Sequence, residues 1–198
     1  MHSSLEGDPM HARVDRWSLA IVGVLMAIAL AGCGSTRVSS TGLVGAPPTL
    51  NQMYVVIDHK TLSKANSEIL ERALISELQP LFETHGLAIE WQAAAPIQED
   101  LQLETPERID WAAIKASSSD AILFIEAVRA EYTGNMFGSS LHGATYDLSM
   151  WLPDKNDPVW KARIRNSEYK ALNGGLEKMG RVTARKIVEQ LAQDGIIR

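Results

Sequence analysis

A single cysteine in 198 residues leaves no partner for an internal disulfide, so the fold must stand on its core alone. Basic surplus is missing as well: 19 Lys and Arg against 24 Asp and Glu give a net charge of −5, which argues against nucleic acid as the main partner. No apolar run reaches the ~20 residues that carry a helix across a bilayer. The glycine-rich phosphate signatures and the Gly-x-Ser-x-Gly elbow of many hydrolases are absent. Past the export region, His59, His85 and His142 each stand alone in their stretches, without the close spacing of metal ligands. What is present is ordinary globular composition, 45% hydrophobic and 22% charged, in a length that suits an export segment and one domain.

Residues 17–30, WSLAIVGVLMAIAL, carry no charge and follow Arg13 and Arg16. A positive start and an apolar stretch of this length read as a secretory signal. Glu6 and Asp8 intrude on a region such signals keep positive, and a start at Met10 would remove them. Next comes Leu30-Ala31-Gly32-Cys33, which resembles the lipobox of bacterial lipoproteins. The resemblance implies diacylglycerol in thioether linkage to the Cys33 sulfur, cleavage before Cys33, and acylation of the freed amine. Several acyl chains on one residue hold a protein to a bilayer where a single chain does so only marginally. Gly34 stands where aspartate resembles an inner-membrane retention signal, which favours the outer membrane, facing the periplasm.

The expected organisation is a signal peptide over 1–32, a lipidated flexible tether over 33–50 rich in Gly, Ser, Thr and Pro, and one domain over 51–198. The run Tyr54-Val55-Val56-Ile57 predicts a buried strand. Leu70, Leu74 and Leu78 predict a helix over 63–84, kinked or broken near Gln79 by Pro80. A strand over 87–91, a short helix over 105–116 and a central strand from Ala121 to about Tyr132 follow. Residues 133–143 read as a loop, and Tyr146, Leu148, Met150 and Leu152 mark a strand buried on one face. Trp160, Ala162 and Ile164 alternate with Lys161, Arg163 and Arg165, a pattern that suits a charged edge strand. A terminal helix over 175–193 closes the order βαβαβββα. This is an α/β (α+β) two-layer sandwich, a mixed sheet of about five strands with about three helices.

The segment from Ser119 to Ile125, the long hairpin after it, Asp157-Pro158-Val159-Trp160 and the terminal amphipathic helix resemble small α/β envelope lipoproteins similar to the curli secretion lipoprotein and the TolB amino-terminal domain. That resemblance implies an envelope accessory role without catalysis. The function expected is therefore an outer-membrane lipoprotein with a periplasmic, non-enzymatic interaction or assembly module. It would use no cofactor beyond the lipid on Cys33, no metal and no nucleic acid, and its partners would be the bilayer and another envelope protein. Two surfaces are candidates: Met136 and Phe137 at a hairpin tip, and the basic strip Lys161, Arg163 and Arg165. The alternative is a small-ligand binder or hydrolase using Ser139 or Ser140 with His142 and Asp147, or the strand end at Asp58 and His59.

Overall fold

The structure, a computed structural model, describes residues 35–94, 109–135, 138–167, 169 and 174–198. Cys33 and the export segment, and Met136 and Phe137, lie outside the described residues.

Six strands form one mixed sheet: β1 (Ser35–Ser40), β2 (Gln52–Asp58), β3 (Ala88–Ala93), β4 (Ala121–Asn135), β5 (Gly138–Trp151) and β6 (Trp160–Ser167). Their order is β1-β6-β5-β4-β2-β3, with β2 parallel to both β3 and β4 and every other pair antiparallel. Parallel neighbours need crossovers. These are supplied by helices α1 (Lys64–Thr84) and α2 (Trp111–Ala116), while α3 (Gly175–Gln193) ends the chain. The fold is thus α+β, with one strand more than the sequence reading.

One face of the sheet carries the main core. Met53, Val55 and Ile57 of β2, Leu123 and Ile125 of β4, and Tyr146, Leu148 and Met150 of β5 meet Leu70, Leu74, Leu78 and Phe82 of α1 and Leu176, Met179, Ile187 and Leu191 of α3. The two helices touch closely because position 180 has no side chain: a Cβ there would lie 2.8 Å from Ala73 Cβ and 2.9 Å from the Leu70 carbonyl. On the other face α2 lays Ile114 over Tyr54 and Val56, with Ile109, Ile122 and Phe124 around them. Strand β2 is consequently buried on both sides, as its unbroken apolar run required.

Several expectations give way here. The spacer is not free along its length, because Ser35–Ser40 pairs with β6 from Ser35↔Ser167 to Ser40↔Ala162. Strand β6 is therefore flanked by β1 and β5 and is no edge. Its charged alternation reflects its place on the sheet face opposite α1 and α3, where Lys161, Arg163 and Arg165 are exposed. Helix α1 runs unbroken through Pro80, which is exposed. Ser76, whose carbonyl the proline leaves without a backbone donor, is exposed as well. The stretch read as a loop over 133–143 is mostly ladder, Tyr132↔Leu141, Thr133↔Ser140 and Gly134↔Ser139 among its pairs. Helix α2 spans Trp111–Ala116, with the Asp110 side chain accepting the Ala113 N–H, and residues 105–108 of the expected helix lie outside the described residues.

Candidate functional site

The uncovered side of β4, β5, β6 and β1 is the surface on which the exposed polar groups converge. Antiparallel pairing puts partners on the same face, so two rows of side chains can be read from the registers. One row is Ser39, Arg163, Asp147 and Glu126, and the other is Arg37, Arg165, Thr145 and Arg129.

In the first row Arg163 donates from Nε to Asp147 Oδ1 at 2.6 Å and from Nη2 to Oδ2 at 2.7 Å, a two-pronged pair. The bonded carboxylate pushes the guanidinium above its ordinary range. Glu126 pairs with Lys60. In the second row Arg165 Nη2 donates to Glu131 Oε1 at 2.8 Å. Glu131 sits on β4 and Arg165 two strands away on β6, and the strand between them offers Gly143 in register with Glu131. A Cβ at Gly143 would lie 3.0 Å from Glu131 Oε2 and 2.6 Å from the Asn166 carbonyl. The missing side chain is what lets the carboxylate reach across. Arg37 and Arg129 are exposed and make no ion pair among the described residues.

Two hollows open on this face. One, of about 450 Å³, is lined by Ser39, Thr41, Glu126, Asp147, Lys161 and Arg163. Its neighbour, of about 620 Å³, lies beside α2 and is walled by Ile114, Ile122, Phe124, Trp151, Leu152 and Pro153, with Ser117, Ser119 and Lys155 at its polar margin. Glu126 and Ser149 line both, so the hollows form one groove that runs from charged to apolar. The Ser119 hydroxyl there is buried and has no hydrogen-bond partner.

The three basic residues singled out from the sequence share this face without forming one positive strip. Arg163 is held by Asp147 and Arg165 by Glu131, and Lys161 lies at the far end of β6 from Arg165. The hydrolase grouping is not assembled. His142 and Asp147 are five residues apart along one strand, about 17 Å, whereas a triad needs hydrogen-bond contact. Asp147 is occupied by Arg163, and Ser139 and Ser140 are exposed where β5 begins. His59 at the end of β2 is buried with neither ring nitrogen bonded, and it packs edge-on to Tyr146 with ring centroids 5.9 Å apart. Burial lowers its pKa to about 4, against a smaller raising effect of Asp58, and burial likewise raises that of Tyr146. Among the described residues no three His, Cys, Asp or Glu side chains gather as a metal site, and no helix is long and apolar enough to cross a membrane.

Sequence reasoning missed the groove and the Arg37–Arg165–Arg129 row. The only signal for the row was the short alternation of residues 35–40, in which Arg37 stands between Thr36 and Val38.

No protein family matches the chain, and no curated protein does either. Solved structures are similar in fold. They include a PelC dodecamer from Paraburkholderia phytofirmans, at TM-score 0.47 and 11% identity over 78% of this chain and 96% of that one. Lipoprotein GNA1162 from Neisseria meningitidis gives 0.36 and 14% over 70% and 98%. The hypothetical protein CT253 from Chlamydia trachomatis gives 0.40 and 12% over 75% and 98%.

Proposed function

We propose that this chain is a bacterial outer-membrane lipoprotein whose periplasmic domain binds another envelope protein and performs no chemistry of its own. The lipobox ending at Cys33 supports the anchoring. The observation that carries the binding role is the groove on the sheet face opposite α1 and α3, where an apolar hollow beside α2 and a charged one share Glu126 and Ser149. A protein segment with an apolar anchor and flanking charges matches such a surface, since binding energy concentrates in buried anchors and charge selects the partner. The commitment of Asp147 to Arg163 favours this reading over the hydrolase alternative.

A photo-crosslinking residue at position 149, in the groove, and another at position 185, on α3, test it in living cells. A discrete adduct from position 149 and none from position 185 is expected, and Trp151→Ala should reduce it. Equal labelling from both positions, or none from either, overturns the reading. Mass spectrometry of the mature amino terminus should find residue 33 first, with diacylglycerol on its sulfur. A chain that retains residues 17–30 overturns the anchoring.

A further inference from the structure

The position of β1 limits how far the domain can stand from its lipid. Only Gly34 separates Cys33 from the first paired residue, Ser35. Two residues of fully extended chain span at most about 7 Å.

The sheet has a long arm at that same end. Ser35 pairs with Ser167, while Asn166 pairs with Ala144, so β1 starts level with Gly143 of β5. Strands β4 and β5 continue beyond that level, from Tyr132↔Leu141 to Asn135↔Gly138, with no third strand paired to them among the described residues, although the Tyr169 N–H donates to the His142 carbonyl at the arm's base. The overhang of four to five residues is about 14–17 Å. It exceeds the leash. A bilayer holding the lipid of Cys33 therefore meets the arm before it meets the rest of the domain.

Charge is distributed to match. Arg37, Arg129 and Arg165 on the sheet, and Lys178 and Arg181 in the opening turns of α3, lie toward this end, and all are exposed. Glu131 and Glu177 are nearby, as are Glu68 and Glu71 among Lys64 and Arg72 in the opening turns of α1, and Glu131 is engaged by Arg165. At the opposite end stand Asp120, Asp154, Asp157 and Asp194, with Lys155 and Arg198. A chain of net charge −5 thus turns basic where its anchor attaches. Arg37 also faces Arg165 directly across β1 and β6, a like-charged pair that opposes folding and that an external anion would relieve.

We infer that the end of the sheet bearing the β4–β5 arm, Arg37, Arg129, Arg165 and Arg181 docks on an anionic phospholipid surface. This rests on the lipid at Cys33 for its orientation. The groove beside α2, whose Trp151, Pro153 and Lys155 lie at the other end of β5, is then presented away from the bilayer.

Two forms of the mature chain, residues 33–198, test this. In the lipidated form, reconstituted in vesicles of phosphatidylethanolamine with phosphatidylglycerol, an environment-sensitive dye is placed at Thr133→Cys on the arm or at Lys155→Cys on the far end. The Thr133 dye should be quenched by headgroup nitroxides several-fold more than the Lys155 dye. Equal quenching, or the reverse order, overturns the docking. The Cys33→Ser form carries no lipid whatever the fate of that thiol in the cell. It should bind those vesicles at low salt at least tenfold more tightly than vesicles of phosphatidylcholine, and Arg37→Gln with Arg129→Gln and Arg181→Gln should erase the difference. Equal binding to both vesicles also overturns the docking, whereas an unmodified Cys33 in the cell overturns the anchoring alone.

Discussion

The Thr36 hydroxyl donates to Asn166 Oδ1 across 2.8 Å, and this bond ties the first strand into the interior of the sheet. Asn166 is fully buried and its amide nitrogen donates to Thr183 Oγ1 at 2.8 Å, which in turn donates to the Met179 carbonyl at 2.7 Å. The Tyr169 hydroxyl lies 3.0 Å from that of Thr36. One chain of hydrogen bonds therefore links β1, β6 and α3. Thr36→Val keeps the shape and removes the donor, leaving Asn166 Oδ1 without it. A loss of about 1–3 kcal/mol is expected in chemical denaturation. Residues 35–40 should become the first site of limited proteolysis.

Gly180→Ala sets two effects against each other. Alanine favours a helix interior over glycine by about 1 kcal/mol. The new methyl meets Ala73 Cβ at 2.8 Å and a backbone carbonyl at 2.9 Å, and overpacking of this kind costs about 1–3 kcal/mol. The carbonyl belongs to α1 and cannot rotate away, so a net lowering of the melting temperature is expected. Gly143→Ala should also destabilise, since its Cβ would sit 2.6 Å from the Asn166 carbonyl.

His59 makes stability depend on pH. Unfolded, the imidazole takes up a proton near its ordinary value of 6.5, and folded only near 4. Between those values the unfolded state binds the extra proton, so stability present above pH 6.5 is lost as pH falls toward 4. A shift of this size corresponds to roughly 2–4 kcal/mol across the window. His59→Phe preserves the edge-on contact with Tyr146 and removes two unbonded buried nitrogens. Denaturation midpoints measured from pH 4 to 7 should lose most of their slope in the variant, with no loss of stability at pH 7. An unchanged slope would show that another group carries the acid sensitivity.

The β4–β5 arm should open more readily than the rest of its own strands. Among the described residues, 132–135 and 138–141 have strand partners on one side only, whereas Ala121–Glu126 are in a continuous sheet flanked by β2 and β5. Two-stranded ribbons are marginal in water. Amide exchange should be faster in the arm than in the base of β4, by orders of magnitude in protection factor.

Much of the fold was legible because apolar spacing reports burial directly. The Leu70, Leu74, Leu78 stripe, the doubly buried run at Tyr54–Ile57 and the terminal helix over 175–193 are all where their periodicity places them. Strand β1 was hidden because its partner lies 132 residues away, and a six-residue segment of Ser, Thr, Arg and Val has no local feature that separates strand from linker. The arm was hidden for a related reason. Thr133, Gly134, Ser139 and Ser140 are turn formers by composition, and only the opposing strand makes them a ladder. Charge was readable at Lys161, Arg163 and Arg165, but their acidic partners Asp147 and Glu131 come from other strands. The groove draws on α2, β4, β5, β6 and the segment at the end of β1, so no window of sequence contained it.

If Cys33 is lipidated as proposed, the strand that begins at Ser35 also sets an order of events in maturation. An enzyme that cuts ahead of Cys33 must take the chain in extended form on both sides of the bond. Two residues of slack give it no room beside a docked strand. Pairing of Ser35 with Ser167 closes a loop of 132 residues, a slow kind of contact that waits for β6 to exist. On the proposed lipidation of Cys33, attachment and cleavage would precede the last step of folding, and the sheet would be completed only after its owner had been fastened down.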